Sequence, residues 1–118
     1  MTFALAPGQS QIVAFMDGSI IGYSKAVSAT TEAGQIAFTW GEVNYNSTAG
    51  SAYDMSAISN PAGNSYNLTI VSEEAPDCTA NPVNNYWLTD TDPVGTSDGS
   101  CWINGATAHL KTYLAGNL

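Results

Sequence analysis

The chain has 118 residues, which suits one domain over residues 1–118, and its ten acidic and two basic residues give a formal net charge of −8. With Lys25 and Lys111 as the whole basic complement, the chain lacks the clustered cations that nucleic-acid binding requires, and no apolar run approaches the ~20 residues of a membrane span. Charged residues make up only 10% of the chain, so Ser, Thr, Asn and Gly must supply the polar surface, as is common in secreted proteins.

Short β-strands separated by turn residues are predicted along the first part of the chain. Asp17-Gly18 is the strongest hairpin signal and is expected to join strands at residues 11–15 and 19–23. Alternating or β-rich stretches predict further strands at residues 35–40, 52–58 and 66–71. Strands at this spacing, broken by Gly, Pro and Asn, favour an antiparallel β-sandwich.

The rest of the chain differs in character, since residues 76–105 hold three of the five prolines and both cysteines. A disulfide between Cys78 and Cys101 would staple this loop-rich segment and stabilise the fold by roughly 3 kcal/mol; two buried free thiols are the alternative. Leu110, Tyr113 and Leu114 fit one helical face, which predicts a short C-terminal helix over residues 106–115. The expected fold class is therefore mainly β, with that helix and a disulfide-stapled loop.

Aromatic and amide side chains concentrate inside the stapled loop. Sugar-binding sites stack aromatic rings on the pyranose and bond its hydroxyls with polar side chains, and the segment 84–90 followed by Trp102 holds both types. The alternative is that the tryptophans form a small core under the loop. The predicted ligand-binding residues are Tyr86, Trp87, Trp102, Asn85, Asp90 and Asp54.

An Asp-rich run in the same loop follows part of an EF-hand spacing. Asp90, Asp92 and Asp98 take the first, third and ninth positions, and Gly95 takes the sixth. The final Glu is missing and Pro93 interrupts the loop, so a true EF-hand is rejected. Three carboxylates remain as a weak calcium site, against the alternative of Asx-turns. No other metal or cofactor is predicted.

The remaining motifs give little chemistry. Asn46 and Asn67 begin N-glycosylation sequons, although a chain this rich in Asn, Ser and Thr should contain about two by chance. His109, the only histidine, is expected to be a surface or packing residue because no nucleophile motif accompanies it. A carboxylate pair across strands, such as Asp54 with Glu42, remains open.

Four stretches resemble a thaumatin-like protein: Leu5-Ala-Pro-Gly-Gln9, Ala37-Phe-Thr-Trp40, Tyr53-Asp-Met-Ser-Ala-Ile58 and Asn67-Leu-Thr-Ile70. The resemblance covers residues 5–71 and implies an all-β sandwich and a secreted, wall-associated protein. Family members carry more cysteines and an acidic cleft. Here Ala37 and Ser59 stand where that cleft needs acids, and only Asp54 matches, so no glucanase site is carried over.

These observations together predict an extracellular, non-catalytic protein that binds a neutral carbohydrate of the cell wall or of a glycoprotein. The first alternative is a secreted protein-interaction or structural module, such as an effector, adhesin or coat subunit. The second is a small glycoside hydrolase, whose mark would be a carboxyl group of raised pKa in a cleft.

Overall fold

A computed structural model of the chain describes residues 5–18, 40–56, 58, 66–87, 89, 93–94 and 99–117. The secondary structure of these residues is β throughout, which confirms the mainly β class. The strands are β1 (Trp40–Asn44), β2 (Ser51–Ser56), β3 (Tyr66–Ser72), β4 (Tyr86–Trp87), β5 (Pro93–Val94), β6 (Cys101–Ile103) and β7 (Leu110–Asn117). Within the described ranges, no helix has the length and apolar character needed to cross a membrane.

Strand β2 lies at the centre of a five-stranded sheet. All of its residues except Ser51 pair with β1 in antiparallel register on one side. On the other side, antiparallel β6 takes its first half and parallel β4 its last two residues, and β5 extends the sheet from β4. The second sheet consists of β3 and β7, paired antiparallel. The predicted strands at 52–58 and 66–71 correspond to β2 and β3.

The core contains residues of both sheets. Alternation along β2 turns Tyr53 and Met55 inward, where their exposed fractions are 1% and 0%. Strand β3 contributes Leu68 and Ile70 to the same cluster. The Tyr53 hydroxyl donates to the Cys78 carbonyl oxygen at 2.7 Å, which satisfies the one polar atom of this large buried side chain.

The predicted disulfide between Cys78 and Cys101 is present, with Cα atoms 5.7 Å apart. Cys101 is fully buried at the start of β6, opposite Tyr53 of β2. The bridge therefore ties the loop after β3 directly to the central sheet. The segment expected to be loop also contains β4, β5 and β6, whose two or three residues are too short to show a periodic pattern.

The predicted C-terminal helix is wrong, because residues 110–117 form strand β7. Exposure alternates along it: Leu110 and Thr112 are half-buried, whereas Lys111 and Tyr113 are exposed. This period of two follows from antiparallel pairing with β3. Leu110 and Leu114 are four residues apart, a spacing that fits one face of a strand as well as one face of a helix, and tertiary pairing decides between them.

The predicted strand at residues 11–15 is also wrong, since these residues have no regular structure. Two contacts hold the segment against the sheet: the Phe15 ring stacks on Tyr45 at 6.0 Å, and the Gly18 amide donates to the Tyr45 carbonyl oxygen at 2.8 Å. Asp17-Gly18 does form a turn, with Gly18 at φ 77°. The predicted partner strand at 19–23 and most of the one at 35–40 lie outside the described residues.

Candidate functional site

The outer face of the five-stranded sheet carries two rows of side chains that strand register brings together. In the first row, Glu42 of β1 stands opposite Asp54 of β2. In the second, Asn44 of β1 stands opposite Ala52, which pairs in turn with Trp102 of β6. The residues between them on each strand are buried in the core, so these five positions share the outer face.

The two rows line a groove of about 410 Å³. This volume falls within the range on the order of 300–1,000 Å³ that small-molecule sites occupy. Ser100, which precedes β6, and Gly18, from the N-terminal segment, also line the groove. Strands of one rigid sheet carry most of the groove, so its geometry is held by backbone hydrogen bonds on three strands.

The environment of the Asp54 carboxyl group in the groove raises its pKa. Its Oδ2 accepts a hydrogen bond of 2.7 Å from the Ser100 hydroxyl, while Oδ1 is buried and accepts from no described donor. Burial raises the pKa of Asp54 to about 7, the Ser100 hydrogen bond opposes the rise, and the nearby charge of Glu42 adds to it. Asp54 therefore stays protonated to a higher pH than an ordinary aspartate does.

Trp102 supplies the aromatic surface beside the carboxyl pair. Its side chain is 63% exposed, although both of its neighbours in β6, Cys101 and Ile103, are buried. An exposed aromatic ring beside polar groups offers a flat apolar surface on which a ligand can stack. Of the predicted ligand-binding residues, Trp102 and Asp54 are the two that the sheet brings together here.

Three of the other predicted ligand-binding residues lie elsewhere, and the fourth, Asp90, is outside the described residues. Asn85 is 2% exposed and Tyr86 is 8% exposed, so neither offers a surface to a sugar. The Asn85 amide instead donates to the Thr79 carbonyl oxygen at 2.9 Å. Trp87 is half-buried, and its indole N–H donates to the Gly99 carbonyl oxygen at 2.8 Å. Asn85 and Trp87 hold the stapled loop together and Tyr86 belongs to the core, so we leave all three out of the candidate site.

Asp90, Asp92 and Asp98, the predicted calcium ligands, lie outside the described residues. The Asn46 side chain is exposed, but its Oδ1 accepts from the amides of Thr48 and Ala49 and from the Thr48 hydroxyl. This sequon therefore forms an Asx-type turn between β1 and β2. The Asn67 backbone belongs to β3, while its side chain lies outside the described part.

His109, expected to be a surface or packing residue, makes an ion pair that sequence analysis missed. Its Nδ1 lies 2.6 Å from Oε1 of Glu74, and its backbone amide donates to Oε2 of the same carboxylate at 2.8 Å. These two contacts lower the pKa of Glu74 to about 2, and the same carboxylate raises the pKa of His109. Glu73, Glu74 and His109 also place one ligand atom each within 4.8 Å of one another. The imidazole nitrogen already bonds to a carboxylate, so the contact serves to fasten the turn after β3 to the start of β7.

Sequence analysis gave Glu42 little weight and did not single out Ser100. Glu42 belongs to the site because it stands opposite Asp54, and Ser100 belongs to it because its hydroxyl bonds to Asp54. A hairpin that joins β1 to β2 pairs Glu42 with Asp54. The sequence of residues 40–56 contains no two-residue turn motif that would predict this register.

A model of the Allergen Asp f 4-like domain family matches residues 1–114. The chain belongs to this family. The match includes both cysteines and every residue of the groove. No curated protein and no solved structure shows significant similarity to the chain.

The family match overturns the thaumatin-like resemblance, which is wrong. The four stretches that suggested it are short, and three of them are alternating strand patterns that many half-buried sheets share. In the Allergen Asp f 4-like chain, Asp54 pairs with Glu42 of the neighbouring strand. That partner does not correspond to either position of the cleft expected from the resemblance.

Proposed function

We propose that the protein binds carbohydrate, without catalysis, in the groove on the outer face of the five-stranded sheet. The observation that carries this proposal is the exposed Trp102 ring beside the Glu42–Asp54 carboxyl pair on one rigid face. We also infer that the two sheets are the layers of a β-sandwich. The Cys78–Cys101 bridge suits an oxidising, extracellular location, where glycosylation at Asn46 or Asn67 would take place.

The chemistry of the groove suits a sugar. The apolar face of a pyranose ring can stack on Trp102, because the indole presents a flat surface that is already in contact with water. Carboxylate oxygens of Glu42 and Asp54 and the amide of Asn44 can then bond the ring hydroxyls, and hydrogen bonds to charged groups contribute about 1.5–3 kcal/mol each. A net charge of −8 disfavours anionic polymers.

Trp102→Ala tests the proposal by retention on insoluble β-glucan, chitin, deacetylated chitin and cellulose. We expect the variant to lose at least about tenfold in retention on the polymer that binds, with a change in unfolding free energy below about 0.5 kcal/mol because the ring is exposed. Tyr113→Ala is the matched control, since Tyr113 is a 42% exposed aromatic residue on the other sheet. Equal retention of wild type and Trp102→Ala would contradict the proposal, as would the absence of retention on any polymer.

The raised pKa of Asp54 also raises the question of a glycoside hydrolase. Such enzymes hold their two carboxyls roughly 5–9.5 Å apart, so that a glycosidic bond and its attacking group fit between them. Glu42 and Asp54 are direct cross-strand neighbours, and the Cβ atoms of such neighbours lie only ~4.5–5.5 Å apart. This close placement favours binding over hydrolysis. Release of reducing sugar from a bound polymer, lost in Asp54→Asn, would reverse this choice.

A protein-interaction module is the second candidate function. It is favoured by the N-terminal segment, where the side chains of Ile12 and Met16 are 94% and 78% exposed. Apolar side chains this exposed on an irregular segment can dock on another protein. Light scattering over a range of concentrations tests it: self-association that Ile12→Ser abolishes would support this function, and a concentration-independent monomer mass would count against it.

A further inference from the structure

The groove is acidic and has no described positive charge to balance it. Glu42 and Asp54 both line it, and none of its other described lining residues is basic. Lys111 lies on β7 of the other sheet, with its ammonium group 5.5 Å from the centre of the Tyr113 ring. The negative charge of the groove is therefore available to a ligand.

The arrangement of the two carboxyls favours a positive group beside them. Asp54 Oδ2 is occupied by the Ser100 hydroxyl, and the buried Oδ1 accepts from no described donor. Glu42 stands directly opposite Asp54 across the strand pair, and both side chains line the groove. Two neighbouring carboxyl groups repel each other when both are ionised, and a bound cation relieves that repulsion. A ligand that brings several N–H donors and a positive charge meets this requirement better than a neutral hydroxyl does.

The exposed Trp102 ring indicates which class of cation would bind in the groove. Its exposed ring stands in the row next to the carboxyl pair. An indole face attracts organic cations, with contributions of about 0.5–2 kcal/mol. A calcium ion would instead seek about six to eight oxygen ligands, which two side-chain carboxyls beside an aromatic ring do not provide. Carboxylates next to an exposed indole suit an ammonium group attached to an apolar body.

We propose that the groove selects a ligand carrying a free primary ammonium group, which for a carbohydrate means an amino sugar whose nitrogen is not acetylated. This inference rests on the proposed carbohydrate-binding function and replaces the neutral polymer expected from the sequence. The ammonium group bonds to Glu42, with Asp54 behind it, and the sugar ring stacks on Trp102.

Titration calorimetry with oligomers of β-linked glucosamine and of N-acetylglucosamine, equal in length, tests the selectivity at mildly acidic and neutral pH. We expect the free-amine oligomer to bind at least about tenfold more tightly, because the acetylated nitrogen carries no charge. Glu42→Gln keeps the size and hydrogen bonding of the side chain but removes its charge, and should bring the two affinities to within about twofold.

Glu73→Gln is the matched control, because it changes the net charge equally at an 82% exposed side chain outside the groove. It should leave the preference unchanged. If Glu42→Gln retains the preference, Glu42 does not select the amine. If Glu73→Gln removes the preference equally, the preference is a general effect of charge. Either result would overturn the inference. Equal binding of both oligomers, lost in Trp102→Ala, would overturn the amine selectivity and leave carbohydrate binding standing. Failure of both oligomers and of all insoluble polymers would overturn both proposals.

Discussion

Asp54 should make the stability of the protein depend on pH, and Asp54→Asn isolates this effect. Burial, aided by the charge of Glu42, raises the pKa of Asp54 from 3.8 to about 7 in the folded state. Between these values the folded protein keeps a proton that the unfolded chain has released. The free energy of unfolding therefore falls as pH rises through this window and is highest below it. At about 1.36 kcal/mol per pH unit the loss is at most about 4 kcal/mol. Solvent screening at this half-buried site reduces it to about 2 kcal/mol.

Urea denaturation followed by tryptophan fluorescence, at intervals between about pH 4 and about pH 8, measures this loss. Taking the difference between wild type and Asp54→Asn at each pH cancels the titration of other groups. We expect the Asp54→Asn variant to gain about 2 kcal/mol relative to wild type as pH rises from about 4 to about 8, because an amide does not ionise. Asp77→Asn is the matched control, since it makes the same substitution at an exposed position in the turn after β3. A difference between wild type and Asp54→Asn that stays constant over the whole range would refute the reasoning.

Three further predictions concern the rest of the fold. Trp87→Phe should lower the free energy of unfolding by about 1 kcal/mol in urea denaturation, because it removes an indole hydrogen bond; an unchanged midpoint would count against a structural role. Glu74→Gln should bring the His109 midpoint, followed by NMR, down towards 6.5, since the carboxylate holds that pKa above this value. The Glu74–His109 pair should stabilise the fold most between about pH 4.5 and 6.5. The Glu74 contribution is lost as pH falls towards 2, and the His109 contribution is lost as pH rises above the raised pKa of His109. A His109 midpoint that Glu74→Gln leaves in place would refute the pairing. Gly50→Ala should cost about 3 kcal/mol and Gly8→Ala about 1 kcal/mol. Both glycines have positive φ, but a Cβ at Gly50 would lie 2.7 Å from the Ile103 carbonyl oxygen, whereas Gly8 has open space; equal costs would show that backbone strain alone decides.

The strands that the sequence predicts correctly are those whose pattern is local and long enough to read. Strand β3 has seven residues, and its apolar positions Leu68 and Ile70 do face the core. Strand β7 was mistaken for a helix because the spacing of Leu110 and Leu114 satisfies both periods, and only pairing with β3 selects the extended form. Strands β4 and β6 have two and three residues, which is too few for any period to appear.

The candidate site was half visible in the sequence. Trp102 and Asp54 were chosen for their chemistry, one as a stacking ring and the other as a hydroxyl partner, although they lie 48 positions apart. Tyr86 and Asn85 were chosen on the same grounds, but both are buried. The Asn85 amide bonds to the loop backbone. Residue type states what a side chain can do, whereas burial states whether a ligand can reach it.

Composition, alternation and cysteine count were enough to determine the mainly β class, the acidic surface and the Cys78–Cys101 bridge, because each depends on residue types or on short-range order. The tertiary structure alone decided which carboxyls meet. Glu42, Asp54 and Trp102 come from three strands, and the register of β1 and β6 against β2 places them on one face. A shift of that register by a single residue would turn the Glu42 and Trp102 side chains into the core. The groove is therefore a property of strand pairing, which no local stretch of the sequence encodes.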